Sequence, residues 1–208
     1  MTIEWLTRAL EESRARGFLG PGEIAPHIEH SRGFRAAWDE YRSAPPASLI
    51  DLGSGGGIPG VVLAEEWGCP TVLLDSMAKR CRSLEEYLEY PNAPKNISVR
   101  CGRAEELARE SDLDGRFELL VMRSFGAPSA AAECAVRYVS VGGLIIVSEP
   151  PDPDSQSRWN RPGLEQLGLR IAGFAATTHH FVVIEKIAPT PPPYPRDNGI
   201  PGKRPIWS

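Results

Sequence analysis

The sequence predicts an α/β fold: a seven-stranded, mostly parallel sheet between helical layers, with an antiparallel hairpin at one edge. Three observations carry this. Short β-rich runs alternate with helical segments from residue 48 to residue 138, the signature of right-handed βαβ units. A glycine-dense turn, "IDLGSGGGIPG" at residues 50–60, stands between the first such run and the first helix of the series. Near the C-terminus two further apolar runs follow each other with only a turn between them, which suits antiparallel pairing.

Each element has a local reason. Residues 2–16 and 24–42 space their apolar residues helically (Ile3, Leu6, Leu10; Ile28, Phe34, Trp38, Tyr41), and the breaker "GFLGPGE" separates them. "SAPPA" at 43–47 opens the main domain. There "SLIDL", "TVLLD", "NISVR", "FELLVMR" and "GGLIIVS" are short, apolar and bounded by turn formers, as strands are. Between them lie a helix opened by Pro59, a helix over 77–90, a short helix from 103 and a helix near 128–138. Proline suits a first helical turn because no N–H is needed there. After "PPDPDSQSRW" a helical stretch runs to about Leu167, and "LRIAGFAAT" and "HHFVVIEKI" form the edge hairpin. Beyond Ala188 the Pro-rich "PTPPPYPRDNGIPGKRPIWS" should be extended, with no core of its own. The expected divisions are a helical extension over 1–47, an α/β domain over 48–188 and a tail over 189–208.

A chain of 208 residues, 41% hydrophobic and 24% charged, has room for one sizeable core and the composition of a soluble globular protein. It contains no apolar run of about 18 residues, and its N-terminus lacks an apolar signal core, so a cytoplasmic location is expected and a membrane partner is not. Cys69, Cys81, Cys101 and Cys134 form no C-x-x-C pair, which argues against a zinc site or a disulfide framework. The net charge of −4 weighs against nucleic-acid binding over the whole surface, while leaving room for a local basic patch.

The glycine turn is the first chemical signal. A strand, a glycine turn and a helix N-terminus make a site for a polar ligand, since N–H groups point outward and glycine lets the backbone approach closely. In dinucleotide folds such a loop meets a pyrophosphate, and the acid after the second strand, here Asp75, holds a ribose diol. Asp51 gives D-x-G-x-G-x-G; it would repel a pyrophosphate and suit an amine. The loop also departs from G-x-G-x-x-G, because Ile58 stands third after Gly55. These features favour S-adenosylmethionine, which shares the ribose but carries a carboxylate and a cationic amine in place of phosphates. Asp51, Gly53, Ser54, Gly55, Gly57 and Ile58 are the candidate loop residues, with a plain structural turn as the alternative.

From the second strand onward the candidates are Asp75, Ser76 and Arg80. In the helix that follows, Met77, Cys81, Leu84 and Leu88 share one face, which reads as core. Lys79 and Arg80 fall in its first turn, where the helix dipole disfavours cations by about 0.3–1 kcal/mol each. An anionic substrate or a structural carboxylate would offset that, and a solvated face is the equal alternative. Arg103, Ala104 and Glu105 follow the third strand, where polar residues border the binding crevice of such sheets; alternatively Arg103 and Glu105 merely open a helix. Arg123 ends the apolar fourth strand and needs a carboxylate or a ligand there, with the ligand favoured. His179 and His180 read as edge packing.

Taken in order, "DLGSGGGIPG", "LLDSMAKRCRSL", "CGRAEEL", "MRSFGAP", "VGGLIIV" and "YPRDNGIPGKRP" make the chain resemble the bacterial small-subunit ribosomal RNA guanine-N7 methyltransferases, the RsmG or glucose-inhibited division protein B family. "HIEHS" looks like that family's N-terminal histidine segment, with His30 at the matching position. The resemblance implies a Rossmann-like class I S-adenosylmethionine-dependent methyltransferase acting on ribosomal RNA or the small ribosomal subunit. It implies that Gly53, Gly55 and Gly57 contact the methionine end of the cofactor, that Asp75 lies near the ribose, and that Ala104 and Glu105 border the adenine. Arg123 and His30 would lie on the RNA side as the catalytic candidates, and Arg123 is a cofactor-binding candidate as well.

Two positions depart from the family pattern: its N-L-T segment is missing, and its L-K-G lysine is replaced within Val147, Ser148 and Glu149. A small-molecule or other acceptor, and a non-catalytic cofactor-binding homologue, therefore stay open as readings. Guanine N7 carries a lone pair, so its methylation needs no general base. A hydroxyl or amide acceptor would need one, and only His30, Glu149, His179 or His180 is on offer.

Overall fold

Strands β1 (Leu49–Leu52), β2 (Thr71–Asp75), β3 (Ile97–Cys101), β4 (Phe117–Met122) and β5 (Val139–Glu149) are the five central strands, and β6 (Leu169–Ala176) and β7 (His180–Lys186) form the edge pair. In the computed structural model, which describes residues 3–176 and 179–208, they make one sheet in the order β3-β2-β1-β4-β5-β7-β6. β1 to β5 pair in parallel, and β7 runs antiparallel to both β5 and β6. The expected fold class is therefore the observed one. The turn expected between the last two runs falls at 177–178, outside the described residues, as does residue 2 at the start of the first expected helix.

β1 is buried at all four positions, because helices cover both faces of the parallel part. Its side chains alternate. Leu49 packs with Leu119, Val121, Leu144 and Ile146 beneath α2 (Ala25–Asp39) and α3 (Gly60–Trp67), whereas Ile50 and Leu52 join Leu120, Met122 and Ile145 under α6 (Pro128–Ala135) and α7 (Arg161–Gln166). The N-terminal segment belongs to this packing. Phe34 and Trp38 of α2 are fully buried, and Trp5 and Leu10 of α1 (Ile3–Ala15) pack with Val61, Leu73 and Leu84.

After β3 the chain crosses to the other side of β1 to form β4, so the loops leaving β1 and β4 diverge and open a crevice at the C-terminal ends of the strands. Helix α4 (Ala78–Leu88) differs from expectation at both ends of the expected face, since Leu88 is only half-buried while its neighbour Tyr87 is buried. Cys81 and Leu84 are buried as expected, but Met77 is 49% exposed. It is the N-cap, with extended backbone (φ −95°, ψ 108°), and so does not share the helical face that the spacing suggested.

The Pro-rich tail is not a bare extension. It carries a one-turn helix, α8 (Ile200–Lys203), and Tyr194, Ile206 and Trp207 pack onto the core beneath α6 and α7. A Cβ at Gly163 of α7 would collide with the Trp207 ring, so the seat is shaped to that side chain.

Candidate active site

The glycine turn after β1 is held from two sides by carboxylates. Gly53 and Ser54 N–H donate to the Leu74 carbonyl at 2.8 and 3.0 Å, which fixes the turn to the end of β2. Gly53, Gly55 and Gly57 have φ of +79°, +56° and +101°, where a side chain would strain the backbone. Asp75 Oδ2 accepts from Gly55 N–H at 2.9 Å, and its Oδ1 accepts from Met77 N–H at 2.8 Å, so one acid fixes both the turn and the start of α4. Arg80 Nη1 lies 3.5 Å from Asp75 Oδ2, which supplies the structural carboxylate for a cation in this first turn. The neighbouring Lys79 instead places its Nζ 5.6 Å from the Phe18 ring centroid.

Asp51 occupies the same face of β1 as Leu49 and points at the start of α3. Its Oδ2 accepts from Gly60 N–H at 2.8 Å, while Oδ1 is buried with no hydrogen-bond partner among the described residues. Burial pushes its carboxyl up to about 7, opposed by the Gly60 hydrogen bond, and Asp75 raises it further. Gly60 has no substitute: a Cβ there would stand 2.7 Å from Asp51 Oδ2 and collide with Leu73.

A cavity of about 490 Å³ opens between the ends of β1, β2, β3 and β4, within the ordinary range of about 300–1,000 Å³ for small-molecule sites. Of the residues singled out in the sequence, Gly53, Asp75, Ser76, Arg80, Arg103, Ala104 and Glu105 line it. Ala104 and Glu105 belong to α5 (Ala104–Leu107), for which Arg103 is the N-cap residue without a side-chain cap bond. Met77, Phe125 and the tail residues Gly199, Pro201 and Gly202 complete the walls, and the sequence reading did not anticipate them. Phe125 also explains Gly53, since a Cβ there would be 2.8 Å from the Phe125 ring.

A second cleft of about 310 Å³ adjoins the first and shares Gly53, Arg80 and Ser124 with it. Ser54, Gly55, Ile58 and Arg123 line this second cleft, together with Phe18, Leu19 and His27. Asp51 and Gly57 line neither; they form the turn from behind. Ser124 holds a left-handed φ of +55°, a strained conformation for a non-glycine residue, at the junction.

Arg123 is half-buried. Its Nη2 lies 3.1 Å from His27 Nδ1, and Nη1 is buried with no partner among the described residues. Burial works against its charge and Asp51 works for it. His27, rather than His30, is thus the histidine that touches Arg123 and faces the cleft. The two are three apart on α2 and share a side of the helix, so the "HIEH" spacing was the available signal.

His30 sits behind, packed edge-on against His179 at 4.4 Å and Phe34 at 5.7 Å between ring centroids. Burial, then Arg123, His179 and His27, hold its imidazole down to about 4. Glu149, the anion at the family's lysine position, pairs with Arg158 at 3.1 Å and its side chain is only 4% exposed. Among the described residues no cluster of three His, Cys, Asp or Glu is placed to hold a metal ion, and no helix is long and apolar enough to cross a membrane.

The chemistry of the lining fits S-adenosylmethionine. Met77, Ala104, Phe125 and Pro201 offer apolar surface for a purine, and Ser76, Glu105 and Arg103 offer polar groups beside it. Arg80 Nε, buried without a partner among the described residues, is a donor suited to a carboxylate. A sheet of this order, with a glycine turn after its first strand and an acid after its second, defines a class I S-adenosylmethionine-dependent methyltransferase.

Residues 25–152 match the model of the GidB family, rRNA small subunit methyltransferase G, and the chain belongs to that family. It is 31% identical over 163 residues to the ribosomal RNA small subunit methyltransferase G of Fervidobacterium nodosum, covering 76% of each chain. To the protein of that name from Alkaliphilus oremlandii it is 35% identical over 167 residues, covering 76% of this chain and 69% of the relative.

Solved structures support the fold. The antibiotic-resistance methyltransferase Kmr superposes with a TM-score of 0.57 at 17% identity, over 74% of this chain and 93% of that one. A SAM-dependent methyltransferase from Methanosarcina mazei gives 0.56 at 14% identity, over 73% and 97%.

Proposed function

We propose that the chain transfers the methyl group of S-adenosylmethionine to N7 of a guanine in small-subunit ribosomal RNA, in the cytoplasm. The carrying observation is the pair of cavities that meet at Gly53, Arg80 and Ser124, one suited to the cofactor and one edged by Arg123, Arg80 and His27. In this reading Gly53, Asp75, Ser76, Arg80, Arg103, Ala104 and Glu105 hold the cofactor. Ser54, Gly55 and Ile58 line the second cleft only, beside the shared Gly53, Arg80 and Ser124. Asp51 and Gly57 keep the turn in shape. Residues 48–188 are the catalytic unit, to which 1–47 contributes the wall bearing Phe18 and His27, and 189–208 the wall at Gly199–Gly202.

The bound cofactor supplies an electrophilic sulfonium methyl. The chain's own contribution is orientation, which is worth about 7–11 kcal/mol when two reactants are held in attack geometry. Arg123 is placed to hold a phosphate oxygen, and a contact of that kind sets register without reading sequence. Phe18 and Leu19 offer an apolar surface to a base taken out of its stack. Because N7 presents a lone pair, no residue has to accept a proton.

That requirement agrees with the side chains present. An imidazole held down to about 4 is a poor base, His30 does not line the cleft, and Glu149 is engaged by Arg158. These facts weigh against His30 and Glu149 as the base that a hydroxyl or amide acceptor would need, and leave His27 as the histidine at the cleft. Pairing with Arg158 also removes the repulsion towards RNA that Glu149 would exert alone.

The test is incubation of the purified chain with methyl-labelled cofactor and small ribosomal subunits lacking N7 methylation. Label is expected in a single 7-methylguanine. Label in protein or small molecules, with none in the RNA, would defeat the proposal.

A further inference from the structure

We infer that the C-terminal tail is a working wall of the cofactor cavity, latched by the Arg196–Glu133 pair, and that it sets cofactor affinity. The inference rests on the S-adenosylmethionine reading above. Glu133 of α6 is completely buried, a position where a carboxylate needs full pairing. Arg196 supplies it three times over: its backbone N–H and Nε each donate to Oε1 at 2.8 Å, and Nη2 donates to Oε2 at 2.6 Å. A planar guanidinium makes such a two-pronged match and an ammonium does not.

Two more arginines fix the chain just before this latch. Arg137 Nε and Nη2 donate to the Tyr194 carbonyl at 2.9 and 2.8 Å, and Arg109 Nη2 to the Pro195 carbonyl at 2.9 Å. From that anchor the tail reaches the cavity. Asn198 Nδ2 donates to Glu106 Oε1 at 2.6 Å and Gly199 N–H to Glu105 Oε1 at 3.1 Å, tying the start of α8 to α5. Gly199, Pro201 and Gly202 then line the cavity beside Ala104 and Glu105. At the far side Ile206 N–H donates to Ser129 Oγ at 2.8 Å. The width of this end of the cavity is therefore set by the tail, and the latch sets where the tail lies.

Calorimetric titration of S-adenosylmethionine into the full chain, with Tm read alongside, tests this. Gly202→Trp is the steric probe, since a Cβ at Gly202 meets nothing within 4 Å and its φ is ordinary. It should weaken binding about tenfold or more with Tm unchanged. Arg196→Ala should weaken binding too, and Arg196→Lys should recover only part of the loss. In all three, KM for the cofactor should rise while kcat at saturation stays near that of the parent.

Gly202→Trp with parental affinity overturns the wall. Loss in Gly202→Trp but parental affinity in Arg196→Ala overturns the latch, and so does a fall in kcat without a rise in KM. Failure of the parent chain itself to bind S-adenosylmethionine would sink the cofactor reading instead.

Discussion

Replacing Asp51 by Asn should remove a pH dependence that the glycine turn builds into stability. The Asp51 carboxyl is 1% exposed, accepts one hydrogen bond from Gly60 and is pushed up from 3.8 to about 7, mainly by burial. A native value above the unfolded one means that the folded chain binds the proton more tightly. The stabilisation is then complete below about pH 4 and is lost as pH rises through about 7. Between pH 5 and pH 8 the unmatched ionisation amounts to about two pH units, or about 2–3 kcal/mol.

Asparagine keeps an acceptor for Gly60 N–H and cannot ionise. Urea unfolding of both proteins at pH 5, 6, 7 and 8, without cofactor, reads the effect. His30, whose contribution runs the opposite way, is present in both and cancels in the difference. The stability of the variant relative to the parent should rise by about 2–3 kcal/mol from pH 5 to pH 8. Parallel profiles, differing in slope by less than about 0.5 kcal/mol over that range, would refute the burial argument.

Gly60→Ala should lower stability by about 2–4 kcal/mol in denaturant titrations, because its Cβ would press on Asp51 and Leu73. Asp75→Ala removes the acceptor for both Gly55 and Met77 N–H, and calorimetry should show cofactor affinity down about tenfold or more. His30 should show no imidazole titration near pH 6.5 in NMR, since its value is held at about 4. Its stabilising contribution is complete above about pH 6.5 and is lost as pH falls towards 4, so His30→Gln should flatten the acid limb of the stability profile. Arg123→Lys should lower kcat while leaving cofactor binding within about twofold, and the salt slope of RNA binding should change little because the charge remains.

The sheet was legible because strands buried on both faces read as apolar runs, and β1, β2, β4 and β5 are of that kind. The places of Asp75 and Gly53 in the cavity wall were legible because the ends of neighbouring parallel strands meet at the crevice. What Asp51 does was not. The sequence suggested an amine ligand, but the period of two along β1 places Asp51 with Leu49, under α3, where it meets Gly60. Met77 was misplaced because a cap residue leaves the helical period that assigned it to the core.

The role of Glu149 depends on Arg158, 9 residues away in the chain, and that of Glu133 on Arg196, 63 residues away. No local pattern announces the partner of a buried carboxylate at such distances. His27 was within reach, since it shares a helix side with His30, but only the position of Arg123 in space decides between the two.

The most direct test of the reaction is nucleoside mass spectrometry of small-subunit ribosomal RNA from a bacterial strain that lacks its own member of this family and expresses this chain. 7-Methylguanosine should be restored by the parent chain and fall well below the parental level with Asp75→Ala. Small-subunit RNA without 7-methylguanosine, despite soluble protein that binds S-adenosylmethionine, would contradict it.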